Sequence, residues 1–252
     1  MFFKKKIIVV TGSANGIGKA IVKRFLNEGA IVISSDINFS DKKIDNNHYQ
    51  KQCDVSSEEE INKLIDWILE KFQTINIFCS NAGILSLGDE QTSNLDWKKN
   101  WDVHLMSHVY FCRRIIPQFK KQTSGHIIIT SSAAGLLTHI DSLTYSVTKQ
   151  ASIAFAEWIA IANKEFGINV SVLCPQAVKT NMTKGREQDV AAIDGILEPD
   201  EVANEVILGI KEKKFLILPH KQVQGYMKNK TENYDRWISG MHKLKQKIKQ
   251  LK

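Results

Sequence analysis

Two shortages in the sequence exclude whole classes of protein before any motif is considered. The 252 residues include four cysteines, which are widely scattered and form no Cys-x-x-Cys pair: Cys53, Cys79, Cys112 and Cys174. This usage indicates buried thiols in a reducing compartment and argues against a metal site. Apolar runs are short, and none approaches the ~20 residues of a membrane-spanning helix. The start, MFFKKKIIVV, has no signal-peptide apolar region or cleavage site, so we expect a cytoplasmic protein.

Internal repeats and low-complexity segments are missing as well, and no domain boundary is visible before residue 220. The composition, 43% apolar and 24% charged, is typical of a soluble globular protein. A chain of this length can bury one large α/β core. We therefore predict one α/β domain over residues 1–220 and a C-terminal extension over residues 221–252.

The net charge of +7 is confined to that extension, because residues 1–220 are balanced. Apolar residues recur in it at alternating steps of three and four: Tyr234, Trp237, Met241, Leu244, Ile248 and Leu251. This pattern predicts a basic amphipathic helix. Its apolar face could pack on the protein's own body or a sister subunit, which we favour, or lie on an anionic membrane surface. Nucleic acid ranks last, since basicity limited to one short helix is a poor footprint for it.

A buried strand followed by closely spaced glycines opens the chain. Residues 7–11 form a continuous β-branched run that leads directly into Gly12, Gly16 and Gly18. Glycines at a strand-to-helix turn let the backbone approach a pyrophosphate, whose charge suits the helix N-terminus. A second strand ends in Asp36, where a dinucleotide fold holds the adenosine ribose. The register of these elements favours a dinucleotide site over a glycine-rich turn without a ligand.

The alternation of strands and helices continues to residue 219. Seven segments are predicted as strands, at residues 7–11, 30–35, 48–55, 75–79, 126–130, 168–174 and 215–218. Helical patterns separate them, among them residues 58–72 with Ser57 as the N-cap and residues 98–121. Because crossovers between parallel strands are right-handed, this order predicts an α/β fold with a single Rossmann-type, doubly wound, seven-stranded parallel sheet and helices on both faces.

One later stretch carries candidate acid–base chemistry. Tyr145 and Lys149 share one face of a predicted helix, and Ser132 follows a strand at the carboxyl edge of the sheet. A cation beside a phenol lowers the pKa of the phenol toward the working range. Such a pair can exchange a proton with an alcohol or ketone, while Ser132 holds its oxygen. The spacing alone is weak, since Tyr226 and Lys230 repeat it, and a structural helix tyrosine is the competing interpretation.

In combination these motifs resemble the classical short-chain dehydrogenase/reductase family over about residues 5–219. The stretches that carry the resemblance are Thr11–Gly18, Cys53-Asp54-Val55, Asn81-Ala82-Gly83, Ser132 with Tyr145 and Lys149, and Pro175–Thr180. In that family these stretches form the cofactor turn, the adenine contact, the support of the central strand, the catalytic groups and the cover of the nicotinamide.

The resemblance implies hydride transfer between a nicotinamide and a carbinol carbon. Tyr145 would be the general acid/base, Lys149 would lower its pKa and contact the nicotinamide ribose, and Ser132 would orient the substrate oxygen. Asp36 implies NAD as the cofactor, because its carboxylate repels the 2′-phosphate of NADP, and Asn15 stands where NADP-dependent relatives often carry a basic residue. The cofactor-binding residues that it implies are Gly12, Ser13, Asn15, Gly16, Ile17, Gly18, Asp36, Asp54, Val55, Asn81, Ala82, Gly83, Tyr145, Lys149, Pro175, Val178 and Thr180.

Two positions depart from the family pattern. His104 replaces the asparagine that anchors a proton-relaying water near the lysine. An imidazole could serve that relay and join the catalytic residues, or it could merely fill the space; both interpretations stay open. Gln176 replaces a glycine and places a side chain beside the nicotinamide or the substrate.

The substrate region is expected to combine residues 84–88, residues 133–140 and the loop 176–196. Within it Leu136, Leu137 and Ile140 suggest an apolar wall. The loop also carries Lys184 and Arg186, which could meet an acidic substrate, although solvated loop charges are the more usual explanation.

We therefore expect an NAD-dependent oxidoreductase that interconverts a secondary alcohol and its ketone, with a small-molecule substrate and a homodimeric or homotetrameric assembly. The alternative is a dinucleotide-binding sensor or scaffold with weakened catalysis, which His104 and Gln176 favour and the intact Ser132, Tyr145 and Lys149 disfavour. An epimerase or dehydratase is a third hypothesis, because fold does not determine reaction class.

Overall fold

A single sheet forms the centre of the computed structural model, which describes residues 2–186 and 189–251. Within that part of the chain the strand order is β3-β4-β2-β1-β5-β6-β7-β8. The strands are β1 (Ile7–Thr11), β2 (Ile31–Asp36), β3 (Lys42–Lys43), β4 (His48–Gln52), β5 (Ile77–Ser80), β6 (Gly125–Thr130), β7 (Ile168–Leu173) and β8 (Leu216–Ile217). Every neighbouring pair is parallel except β3 with β4.

The predicted doubly wound parallel sheet is therefore confirmed, with one addition. The seven predicted strands are all present, and the eighth is the short antiparallel edge strand β3. β4 ends at Gln52, three residues before the predicted end at Val55. The chain leaves the sheet there because the Asp54 N–H donates to Glu60 Oε2 at 2.7 Å, at the start of the next helix.

Helices cover both faces of the sheet in the described chain. They are α1 (Gly16–Asn27), α2 (Glu58–Phe72), α3 (Asn94–Trp101), α4 (Ser107–Gln122), α5 (Ala133–Leu137), α6 (Leu143–Asn163), α7 (Pro199–Lys211), α8 (Gln222–Glu232) and α9 (Tyr234–Leu251). Ser57 caps α2 as predicted, since its side chain accepts from the Glu60 N–H. The helix predicted at 98–121 begins earlier, at Asn94, and is interrupted by a π-helical turn, Asp102–Met106.

Alternating strand residues supply two apolar cores, one on each face. In β1, Ile7 and Val9 join the core with α2, α4 and α6, whereas Ile8 and Val10 join the core with α1 and α7. In the first core Phe78 of β5 stacks on Phe111 of α4, with ring centroids 4.5 Å apart. Because these strands run parallel, their carboxyl ends lie along one edge of the sheet, where α/β sheets bind ligands.

The C-terminal extension forms α8 and α9, and α8 packs on the body. Val223 is fully buried and clusters with Ala133 and Leu137 of α5. None of the helices in residues 2–186 and 189–251 is both long and apolar enough to span a membrane. The described part of the basic tail is thus mostly helical, and its first helix lies against the protein's own body.

Candidate active site

A cleft of about 760 Å³ opens at the carboxyl edge of the sheet. The predicted cofactor-binding residues line it, with the exception of Ser13. Ser13 is buried, and both its N–H and its hydroxyl donate to the Ser35 carbonyl at 3.1 Å. Ser13 therefore ties the glycine turn to β2 and directs these donors away from the cleft.

The glycine turn lies so close to its neighbours that side chains cannot be accommodated. Gly12 has a φ of +62°, and a Cβ there would lie 2.5 Å from Ala82 Cα. A Cβ on Gly18 would lie 2.3 Å from the Gly12 carbonyl oxygen. In the described structure Asn15 precedes α1 without making a side-chain cap, and the first turn of α1 has no acidic residue. A bare helix N-terminus behind a glycine turn fits a pyrophosphate.

Two carboxylates lie further along the cleft at the positions expected for the adenosine half of a dinucleotide. Asp36 Oδ2 accepts from the Ala14 N–H at 3.0 Å, and its Oδ1 accepts from the N–H of Asn38 at the same distance. Asp54 Oδ1 accepts from the N–H and hydroxyl of Ser56 at 2.9 and 2.7 Å. These bonds fix both side chains while lone pairs remain for ribose hydroxyls or an adenine amine.

Asn81 joins the three central strands beneath the cleft. Its backbone N–H donates to Thr11 Oγ1 at 3.0 Å, and its side-chain amide donates to the carbonyls of Thr11 and Gly12. Its Oδ1 accepts from Thr130 Oγ1 at 3.1 Å. One amide therefore connects the ends of β1, β5 and β6 and holds the glycine turn against the sheet.

Ser132, Tyr145 and Lys149 are brought together by two helix starts. Ser132 is the N-cap of α5, and its Oγ accepts from the Ala134 N–H at 3.1 Å. Ser142 caps α6 in the same way, which places Tyr145 in the first turn and Lys149 one turn further. Lys149 Nζ donates to the Thr130 carbonyl at 2.8 Å and lies 5.6 Å from the centre of the Tyr145 ring.

Burial controls the protonation of these groups. Burial raises the pKa of Tyr145 above its usual value, and the hydrogen bond with the Ser132 hydroxyl offsets only part of that shift. Burial also lowers the pKa of Lys149 to about 8. The expectation that Lys149 lowers the pKa of Tyr145 is therefore not met in this structure, where desolvation of the phenolate is the largest cause of the shift and raises the pKa. Tyr145 is a neutral phenol at pH 7.

His104 is fully buried in the π-helical turn, next to Tyr145. Its Nε2 accepts from the Ile84 N–H at 3.1 Å, and its Nδ1 lies 2.9 Å from Thr148 Oγ1. Thr148 Oγ1 donates onward to the Thr144 carbonyl, so the bonding pattern assigns the proton of His104 to Nδ1. Burial, followed by the Lys149 charge, holds the pKa of His104 well below its usual range. With both ring nitrogens engaged, this arrangement favours the space-filling interpretation over a water relay.

A second cavity of about 500 Å³ adjoins the cleft. The residues that line both cavities are Ser132, Tyr145, Gln176, Met182 and Thr183. The Tyr145 phenol is thus accessible from either side. Gln176 lies at the same junction, and its buried Oε1 has no hydrogen-bond partner among the described residues. The junction is where a cofactor and a substrate would meet.

The walls of this second cavity differ in part from the prediction. Leu137 lines it, but Leu136 does not, because its side chain packs on the apolar cores below. Ile140 also lies outside the lining of the described chain. Lys184 is exposed, whereas Arg186 lines the cavity and its buried Nη1 has no hydrogen-bond partner among the described residues.

The C-terminal helices also contribute to this cavity, which the sequence did not predict. Tyr226 and Asn229 of α8 and Trp237, Met241 and Leu244 of α9 all line it. The spacing of apolar residues in the tail was the available signal, but it predicted a packing face without showing what that face covers. Within residues 2–186 and 189–251 no cluster of His, Cys, Asp or Glu could hold a metal ion.

Comparison with known proteins agrees with the fold and the motifs. A family model described as short chain dehydrogenase matches residues 6–191. Meso-2,3-butanediol dehydrogenase of Serratia marcescens is 30% identical over 219 residues, which cover 81% of this chain and 86% of that protein. Epidermal retinol dehydrogenase 2 of Mus musculus is 26% identical over 231 residues, covering 85% and 74%.

Among solved structures, a short chain dehydrogenase/reductase from Burkholderia phymatum in complex with NAD has a TM-score of 0.83 at 22% identity. The match covers 93% of this chain and 96% of that one, and it supports the shared fold. Because the family model spans most of the chain and the Serratia relative reaches 30% identity, this protein belongs to the short-chain dehydrogenase/reductase family of oxidoreductases.

Proposed function

We propose that this protein is an NAD(H)-dependent oxidoreductase that interconverts a secondary alcohol and its ketone, with Tyr145 as the general acid/base. The observation that carries the proposal is the position of Tyr145 and Ser132 in the wall shared by the cleft and the adjoining pocket. The relative from Serratia marcescens is named for 2,3-butanediol, whose hydroxyls are both secondary, and this supports the same bond type as the target.

Each residue at the junction has a role in this reaction. When bound in the cleft, a nicotinamide dinucleotide supplies or accepts the hydride. During reduction the carbonyl carbon gains the hydride with its two electrons, and the carbonyl oxygen gains the proton of Tyr145; oxidation reverses both transfers. The Ser132 hydroxyl holds the same oxygen in position. Lys149, donating to the Thr130 carbonyl, places a positive charge behind the phenol that stabilises the phenolate left after proton transfer.

Asp36 carries the preference for NAD over NADP. Its carboxylate lines the cleft and is fixed by the Ala14 N–H at the end of β2. A 2′-phosphate at this position would place like charges together, whereas ribose hydroxyls can donate to the carboxylate. The neighbouring cleft residues Asn15 and Asn38 are uncharged, so they offer no compensating cation.

A sensor or scaffold with weakened catalysis is the second candidate, and His104 favours it. Its occupied ring nitrogens leave no group at that position to bind a relaying water in the described structure. The shared position of Ser132 and Tyr145 supports the enzyme more strongly, since a scaffold has no need of an acid–base group open to both cavities.

Assembly and location are further parts of the proposal. We infer a homodimer or homotetramer that uses the outer face of α6, where Val147, Trp158 and Ile161 are exposed although apolar. Exposed apolar side chains on one helix support a protein–protein contact there. We also infer a cytoplasmic protein, supported by four buried cysteines that form no disulfide in the described chain.

Replacing Tyr145 by Phe tests the enzymatic proposal. Tyr145→Phe removes the transferable proton and keeps the ring, so turnover of a secondary alcohol should fall by about 10²–10⁴-fold. NADH affinity and the melting temperature should stay close to those of the wild type. Tyr110→Phe, on α4 and outside both cavities, is the matched control and should retain full turnover. Turnover retained in Tyr145→Phe would contradict the assignment.

A further inference from the structure

The pocket beside Tyr145 is closed on one side by α9, which lies beyond the segment matched by the family model. Trp237, Met241 and Leu244 recur at steps of four and three, so they share one face of this helix. All three line the pocket, and we refer to them as the α9 face. Leu85 and Leu137 of the body belong to the same lining. The reacting groups therefore open into a chamber that is apolar along the α9 face, Leu85 and Leu137, while Arg186, Asp189 and Arg236 contribute charged groups elsewhere in its lining.

Contacts of α8 hold the two terminal helices over the pocket. The Tyr226 hydroxyl donates to Asp194 Oδ1 at 3.0 Å, which joins α8 to the loop 176–196. Lys230 Nζ donates to the Leu136 carbonyl at 2.6 Å, which joins the same helix to α5. The buried Val223, in the first turn of α8, also packs on α5. α8 is thus attached to both segments of the body that form the pocket.

An N-terminal cap and the packing of one side fix the position of α9. Asn233 Oδ1 accepts from the Arg236 N–H at 2.8 Å and caps the helix. Trp237 is half-buried and packs against the cluster of α5 and α8. Ile238, one residue further, is 61% exposed, so the helix presents different sides to the pocket and to water. The Asn233 cap and the packing of Trp237 therefore define the orientation of α9.

We propose that α9 is a substrate-recognition element and that the substrate is a ketone or secondary alcohol with an extended apolar body. The proposal rests on the proposed function, in which Tyr145 and Ser132 hold the reacting oxygen. From that end of the pocket, the body of the substrate lies between the α9 face and Leu137. A cavity of about 500 Å³ has the size of typical small-molecule pockets, which are mostly apolar with a few polar groups that orient the ligand. A four-carbon ketone would leave the α9 face without contact.

A series of methyl ketones from 2-butanone to 2-decanone tests the proposal on the full-length protein. Their reacting ends are identical, and each additional methylene adds only apolar surface. Reduction is followed with whichever nicotinamide nucleotide binds more tightly. For the wild type, kcat/KM should rise by up to about fourfold per methylene until the pocket is filled, which is the factor expected for burial of one CH₂ group.

Variants of α9 then separate substrate recognition from structural support. Trp237→Ala and Met241→Ala should lower kcat/KM for 2-decanone at least about tenfold, because each removes several buried carbons from contact with the chain. The same variants should change kcat/KM for 2-butanone less than about twofold, since a short ketone does not reach the α9 face. Ile238→Ala, the exposed neighbour, is the matched control and should leave both substrates unaffected. Nucleotide affinity and melting temperature report whether each variant is intact.

The outcomes distinguish this inference from the function on which it rests. A wild-type kcat/KM independent of chain length would overturn the inference while leaving the oxidoreductase in place. An equal loss of kcat/KM for 2-butanone and 2-decanone in an intact Trp237→Ala variant would also overturn the inference, because it would show that α9 only covers the pocket. No turnover of any ketone or of the matching secondary alcohols would overturn the proposed function, and the inference with it.

Discussion

The two cavities that meet at Tyr145 are formed by different structural elements. The cleft proposed for the cofactor lies at the ends of paired strands, where the glycine turn packs on the backbone of Ala82 and is held by the bonds of Asn81. The pocket proposed for the substrate is lined in large part by side chains from a loop and from the helices α8 and α9. A cleft of the first kind tolerates almost no change, because backbone contacts backbone. A pocket of the second kind can change its shape one side chain at a time.

Glycine substitutions give the largest expected contrast between these regions. In Gly12→Ala the new Cβ would lie 2.5 Å from Ala82 Cα at a positive φ, so we expect a loss of about 2–4 kcal/mol in unfolding free energy and more than about tenfold in NADH affinity. Gly225, inside α8, has no atom within 4 Å of a Cβ in the described structure. Gly225→Ala should therefore stabilise the protein by about 0.5–1 kcal/mol through helix propensity. Denaturant unfolding measures the unfolding free energy of each variant, and nucleotide titration measures its NADH affinity. Equal effects of the two substitutions would contradict the expected difference between the glycine turn and α8.

The pH dependence of kcat/KM should show the next largest effect, because it is set by the protonation of Tyr145, where the two cavities meet. Burial raises the pKa of Tyr145, so at neutral pH the phenol is protonated and ready to act as the acid in ketone reduction. Alcohol oxidation needs the phenolate, whose fraction grows about tenfold per pH unit below the pKa. We expect kcat/KM for oxidation to rise from pH 6 to about pH 8, the pKa of Lys149, above which that ammonium loses its charge, and we expect kcat/KM for reduction not to rise. Matched profiles of both directions provide the test, and a reduction rate that climbs with pH would contradict the assignment of Tyr145 as its acid.

Replacement of His104 should have the smallest effect on turnover, although it lies next to Tyr145. His104→Asn loses at least one of the buried bonds to Ile84 and Thr148, at a cost of about 1–3 kcal/mol in unfolding free energy. Turnover should be retained or increased, because His104 has no nitrogen free for a proton relay in the described structure. Steady-state kinetics measure the effect on turnover, and a denaturation curve measures the effect on stability. A hundredfold loss of turnover in a folded variant would show that the histidine has a catalytic role of its own.

The contrast between the cavities also explains what could be predicted from the sequence. β-branched runs and the glycine turn are local signals, and local signals determine strands and the backbone path at their ends. The strands and the position of Asp36 at the end of the second strand followed from them, whereas the grouping of Ser132, Tyr145 and Lys149 rested on the family resemblance. The edge strand β3, at Lys42–Lys43, is too short and polar to give such a signal.

The remaining features depend on contacts between distant parts of the chain. The spacing of Trp237, Met241 and Leu244 predicts an apolar helix face, but the fold decides which surface that face covers. The same holds for Leu136, whose side chain turns to the core while the adjacent Leu137 lines the pocket. The pKa of Tyr145 depends on burial as well as on its distance from Lys149, so spacing alone gave the wrong direction for its shift.

The most direct test of the account is a fluorescence titration of the purified protein with NADH and then with NADPH. It requires no knowledge of the substrate and addresses the glycine turn and Asp36 together. We expect micromolar binding of NADH and binding of NADPH weaker by about tenfold or more, because Asp36 opposes the 2′-phosphate. NADPH binding as tight as that of NADH, or tighter, would contradict the role of Asp36. If neither nucleotide bound, the cleft would not be a cofactor site, and the scaffold would replace the enzyme as the leading hypothesis.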